Sequence, residues 1–225
     1  MSDMDKNLAE EHKELFAPFF EDGSDLDRFI WDILNFKSDF APRRMLNTVQ
    51  RLVTLSDEMD TIRKGRRDLS IFFLVTCIEA LYTFLPEHEQ RIQKQEMVIK
   101  FFENYLNQSD KELIENSISI SSVGDDDYFI ENISISEFSL LLVSIRNNLA
   151  HEGIYWSFHF NDEDYSGQTL NIIKSKLVKD EGSREITYEV GLTYSKFRKA
   201  CIRAFINFIS DNFEKIKVRC GNNQG

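Results

Sequence analysis

One short segment, Arg146-Asn-Asn-Leu-Ala-His151, holds the side chains best suited to handling a phosphodiester: Arg146, Asn147 and His151. Cleavage of RNA requires the 2'-hydroxyl to attack the adjacent phosphorus, a group that moves a proton to or from the reacting oxygens, and a cation that holds the developing charge. Arg146 is permanently charged and can present two donors to a phosphate. His151, near a helix C-terminus, faces the negative end of the helix dipole, which suits an imidazolium acting as a general acid. Asn147 can orient either group or a phosphate oxygen. Five residues of α-helix turn through about 500°, so Arg146 and His151 point to different sides unless the helix ends between them. Within one continuous helix, each chain would hold half a site, which two copies related by a two-fold axis could complete.

Periodicity identifies the elements that must position this pair. Ser136-Glu137 can cap a helix whose apolar stripe is Phe138, Leu141, Leu142, Ile145 and Leu149, with Arg146 beside it; Gly153 can close that helix in a left-handed conformation. From Asp68 to Leu85 the chain is apolar nearly all round, as a central buried helix would be, and Pro86 stops it. Glu79 lies inside that helix. A buried carboxylate needs a partner, so Glu79 either sits on a wet edge or meets a cation such as Arg146.

Upstream, the pattern predicts an acidic amphipathic helix over 5–20, a second beginning at Ser24-Asp25, and a third from Pro42 to about Arg63, with Gly65 as punctuation. Downstream of Pro86 it predicts helices at about 89–106 and 111–117, then an exposed loop from Ser119 to Ile133. After Gly153, the runs 154–160, 169–178 and 186–192 predict a small antiparallel β element with a hairpin turning near 179–183. A last helix spans about Ser195 to Lys217, and the Gly221–Gly225 tail is expected to be disordered. The fold class is therefore mainly α: an antiparallel helical bundle with a small β element inserted at about 154–192. Residues 1–64 supply N-terminal packing helices to a domain at 65–225, and the two share one core.

Composition supports a helical chain of 225 residues, with 42% hydrophobic residues, 19 Phe, 9 Gly and 3 Pro. Helices this rich in Phe offer more apolar surface than one bundle readily buries, which favours a homodimer. A net charge of -11 opposes sequence-blind binding to nucleic acid, so any such site must be local. The cations Arg43, Arg44, Arg51, Arg63, Lys64, Arg66 and Arg67 do cluster, forming either a solvated helix face or a phosphate-facing surface. Cys77, Cys201 and Cys220 and the four histidines lack metal-ligand spacing, so no metal site and no cofactor is expected. No apolar run is long enough to span a bilayer and the N-terminus is polar, so the expected location is the cytoplasm, with no membrane partner.

Arg-x4-His following an amphipathic helix, Asn directly after the Arg, and a buried helix containing Cys77-Ile-Glu-Ala-Leu81 together resemble the HEPN superfamily, whose ribonuclease motif is Arg, four to six residues, then His. The resemblance covers roughly Asp68 to Lys217. It implies an up-and-down helical bundle, often a homodimer with its motif helices at the interface. It further implies a metal-independent endoribonuclease of the kind found among toxins and phage-defence effectors, with RNA as substrate and a cognate antitoxin or regulatory protein as partner. Arg146 and His151 become the catalytic positions, Asn147 the accessory one and Glu79 a supporting group. The alternative is a non-catalytic dimeric module that binds a nucleotide or a protein. In that case Arg146 is an ion-pair partner of Glu79 and His151 closes a helix end.

Overall fold

A computed structural model describes residues 3–63, 67–86, 92–123, 128–153, 158–164, 166–175 and 184–222. The expected Gly65 break, the helix start at Glu89, the acidic run at 125–127, the β residues 154–157, the turn at 179–183 and the last tail residues lie outside them. Eight α-helices are described: α1 (Asp3–Phe16), α2 (Gly23–Asn35), α3 (Ala41–Ile62), α4 (Arg67–Tyr82), α5 (Lys94–Tyr105), α6 (Gln108–Ser117), α7 (Ile135–Asn147) and α8 (Tyr194–Asn222). Four strands join them: β1 (Ile118–Val123), β2 (Tyr128–Asn132), β3 (Thr169–Ser175) and β4 (Arg184–Val190). The protein is mainly helical, with a small antiparallel sheet whose last strand precedes the final helix.

Several boundaries differ from expectation, each for a local reason. The first helix stops at Phe16, and Ala17–Phe19 tightens into a 3-10 turn, because Pro18 cannot donate to the ladder. Among the described residues after Pro86, a helix begins at Lys94, behind an extended Gln93. The cap of α7 is Ser134: its hydroxyl accepts from the Glu137 amide at 3.2 Å while the Glu137 carboxylate accepts from the Ser134 amide at 2.9 Å. Residues 158–160 form no strand; Phe158 and Phe160 are buried, with Phe160 stacked on Phe197 at 5.1 Å.

The expected loop at Ser119–Ile133 is instead a hairpin, β1–β2. The sheet runs β2-β1-β4-β3, antiparallel throughout, so half of it precedes α7 and half follows. Register explains why. Ile118 lies opposite Val190 and Ile120 opposite Tyr188, and Ile118, Ile120 and Val190 are buried, while the intervening Ser119 and Ser121 fall on the other face.

Aromatic and polar contacts fix the directions of the helices. Ser56 and Ser70 each donate a hydroxyl hydrogen bond to the other's carbonyl, and Ser56 also meets the Tyr194 hydroxyl at 2.7 Å, tying the α3 finish, the α4 start and the α8 start together. At the other end, Arg44 of α3 lies over Phe84, just past α4, and Tyr82 meets Phe208 of α8. Phe138 meets Phe102 and Phe197, whereas Arg146 and Lys94 both reach Glu79. Thus α4, α7 and α8 run one way and α3 and α5 the other. The finishes of α4 and α7 and the starts of α3 and α5 gather at one end, here called the motif end; the sheet packs near the opposite one. A single cluster of buried apolar side chains extends from Ala9 to Ile216. The Phe surplus is taken up inside it: Phe40 is the one exposed phenylalanine among those described, so the surface-excess reason for a dimer does not hold.

Candidate functional site

α7 is a helix because an apolar stripe, with Phe138, Leu142 and Ile145 buried, docks on α4 and α5, and because its start is doubly capped. Its finish is unusual. Regular winding stops at Asn147, and Asn148–Glu152 forms a π-helical turn, which Gly153 ends with φ 65° and ψ 21°. That left-handed backbone is one glycine adopts without the steric penalty of a Cβ, as expected of Gly153. Bonds of the i→i+5 type turn the chain less per residue than an α-helix, and π turns recur at functional sites. The step from Arg146 to His151 therefore closes towards one revolution, rather than the roughly 500° of a continuous helix. The condition under which the pair need not be split, an end to the α-helix between its members, is met.

Arg146 is anchored. Its Nη2 donates to Glu79 Oε2 at 2.5 Å and its Nη1 donates to Asn147 Oδ1 at 2.9 Å. The two ionic side chains are only 12% and 13% exposed. This settles the role left open for Glu79: it meets Arg146. It also meets Lys94, missed in the sequence, whose Nζ lies 3.4 Å from the same carboxylate oxygen while the lysine is 63% exposed. No spacing rule pointed to Lys94, since it comes from α5, across the bundle. Two cations on one carboxylate give this group of three side chains a net positive charge.

Three atoms here, Thr76 Oγ1, Glu79 Oε1 and Arg146 Nε, are buried without a hydrogen-bond partner among the described residues. Thr76 and Glu79 are one turn apart on α4. Buried polar atoms left unpaired oppose stability, and in a folded protein they call for an explanation such as a functional role. His151 is exposed, and no hydrogen bond or ion pair joins it to Arg146, Asn147 or Glu79. The structure thus assembles Arg146, Asn147, Glu79 and Lys94 and displays His151 separately, on the turn that follows.

Comparison with protein-family models, with curated proteins and with solved structures finds no match. The site is therefore read from its own geometry. Among the described residues, no group of three or more His, Cys, Asp or Glu is placed to hold a metal ion, and no helix is long and apolar enough to cross a membrane. Cys77 and Cys201 are buried free thiols whose burial raises their pKa, so they supply no nucleophile.

Proposed function

We propose that the protein is a HEPN-like endoribonuclease that cuts single-stranded RNA without a metal ion, using Arg146 and His151. One observation carries the reading: two cations, Arg146 and Lys94, converge on a single Glu79 oxygen at the helix end whose π turn displays His151. Glu79 and Asn147 would hold the guanidinium still while it faces the scissile phosphate. The 2'-hydroxyl would attack phosphorus and give up its proton to solvent water, while the imidazolium of His151 would hand its proton to the departing 5'-oxygen. The products would be a 2',3'-cyclic phosphate and a 5'-hydroxyl.

Two copies facing across a two-fold axis would join two such ends into one groove. The outer face of α7 supports this: Leu140, 42% exposed, and Ser144 lie on it, on the helix that leads to His151. Toxin or defence roles, and a cognate antitoxin, belong to the same proposal.

The low exposure of Arg146 favours a second reading, a non-catalytic module in which the Glu79 pair is structural. An RNA cleavage assay in EDTA separates the two. His151→Ala and Arg146→Lys should each slow cutting by roughly 100-fold, the scale of losing acid–base help or bidentate charge stabilisation. A parent protein inert towards RNA, or variants that cut at the parent rate, would leave the module.

A further inference from the structure

We propose that the motif end carries a stacking surface for a single-stranded nucleic acid, built on Phe40, Arg44 and Phe84 at the same end of the bundle as Arg146 and His151; the inference rests on RNA being the substrate. The arginine run read from the sequence divides in the structure. Arg44 stands at the motif end over Phe84, its guanidinium 4.7 Å from the ring centroid, whereas Arg67 lies over Tyr194, near the opposite end.

Phe40 is 64% exposed and sits one helical turn before Arg44, whose amide donates to its carbonyl at 3.0 Å. Phe40 and Arg44, four residues apart, are neighbours along α3, and the Arg44 guanidinium covers the Phe84 ring. Arg44 is itself exposed and has no carboxylate partner among the described residues. The amide of Ala41 is already taken by Asp39 Oδ1 at 2.7 Å, so the attraction for an anion comes from the arginine and not from the helix start.

The later part of α8 carries another ring–cation pair. Lys217 lies 4.6 Å over Phe213, which meets Phe36 edge-on at 5.3 Å. Between Pro86 and the later part of α8 opens a cavity of about 570 Å³ lined by Asn212, Val218 and Arg219 among others. The acids on its wall, Asp211 and Glu214, are paired with Lys215 and Lys217. Arg219 is exposed and has no carboxylate partner among the described residues.

An exposed ring next to an unpaired guanidinium suits an unstacked base with its phosphate, because every base offers a π face and every linkage a charge. A duplex keeps its bases stacked and offers no such face. Glu79 near the finish of α4 and Phe84 just past it place both groups at the same end of the bundle, each against a different neighbouring helix. Local placement of the cations also reconciles nucleic-acid binding with a chain of net charge -11.

The test is fluorescence anisotropy of the full chain with a labelled, 2'-O-methylated single strand of about twelve nucleotides, which binds but lacks the attacking hydroxyl. Phe40→Ala should weaken binding at least about fivefold without moving the melting temperature, since its ring is exposed. Arg44→Gln should weaken binding and flatten the log–log salt dependence by about 0.7, the share of one phosphate contact on a single strand. Failure of the parent to bind the single strand at low salt, or unchanged affinity in either surface variant, overturns the surface. Cleavage that persists in His151→Ala overturns the nuclease assignment of that residue and leaves the binding result standing, so the two failures are distinct.

Discussion

Arg146→Ala tests the anchored pair directly, with a readout that does not depend on catalysis. Glu79 is only 13% exposed in the intact pair and one of its oxygens is already without a partner, so removing the guanidinium leaves only the lysine at 3.4 Å facing it. Breaking a fully buried ion pair from one side costs about 3–5 kcal/mol. Because Lys94 remains and is itself largely solvated, about 2 kcal/mol is expected here. For a chain of this size that corresponds to a fall in melting temperature of about 4–8 °C. Urea unfolding should show a lower midpoint at an unchanged slope. Glu79→Gln should recover part of the loss when combined with Arg146→Ala, giving a coupling of about 1 kcal/mol or more in the double-mutant cycle. His151→Ala, on an exposed turn, should stay within about 0.5 kcal/mol of the parent. An Arg146→Ala protein as stable as the parent, with no coupling to Glu79, would refute the pair as an anchor.

Burial holds the His12 imidazole at a pKa of about 4 against its ordinary 6.5; its hydrogen bond to Asn47 opposes this and the charge of Arg43 adds to it. Below pH 6.5 the unfolded chain takes up a proton that the folded one refuses, so this contribution is full above pH 6.5 and declines as the pH falls towards 4. Between pH 7.5 and 4.5 the parent should lose about 2–3 kcal/mol more stability than His12→Gln, read from urea midpoints. Ser134→Ala removes one half of the capping box and should cost about 1 kcal/mol, or 2–4 °C in melting temperature, by calorimetry. Light scattering at micromolar concentration should give the mass of a dimer, and Leu140→Arg should shift it towards the monomer. Any RNA cleavage should survive EDTA; activity that vanished with chelation and returned with magnesium would remove the mechanism.

The helices were legible because each carries its own periodicity and stops: the stripe from Phe138 to Leu149, the all-apolar run of α4 ended before Pro86, the closing Gly153. The β1–β2 hairpin was missed although Ile118-Ser-Ile-Ser alternates as a strand should. Its serines and the following Gly-Asp-Asp-Asp read as loop, and only pairing with β4 makes the alternation meaningful. Glu79 and Arg146 were singled out because a carboxylate inside an apolar helix demands a partner. Lys94 was not, because its contact depends on how α5 crosses α4, a tertiary fact that no local spacing encodes. The π turn was invisible for a related reason: its residues are those of an ordinary helix end, and the wider winding is set by what surrounds them.

The sheet also sets the order in which this molecule can be completed during synthesis. β1 immediately follows α6 and pairs with β4, and the Gly191 amide donates to the Ser117 carbonyl at 2.7 Å, so the stretch carrying α7 leaves from and returns to one point. On a ribosome that loop stays open until Val190 has emerged. Even then, Phe138 lacks its neighbour Phe197 until α8 begins to form. A nascent chain therefore holds Arg146 and His151 without the framework that arranges them. If the folded protein cuts RNA, the translating ribosome and its message are shielded from the site until β4 and the start of α8 have emerged.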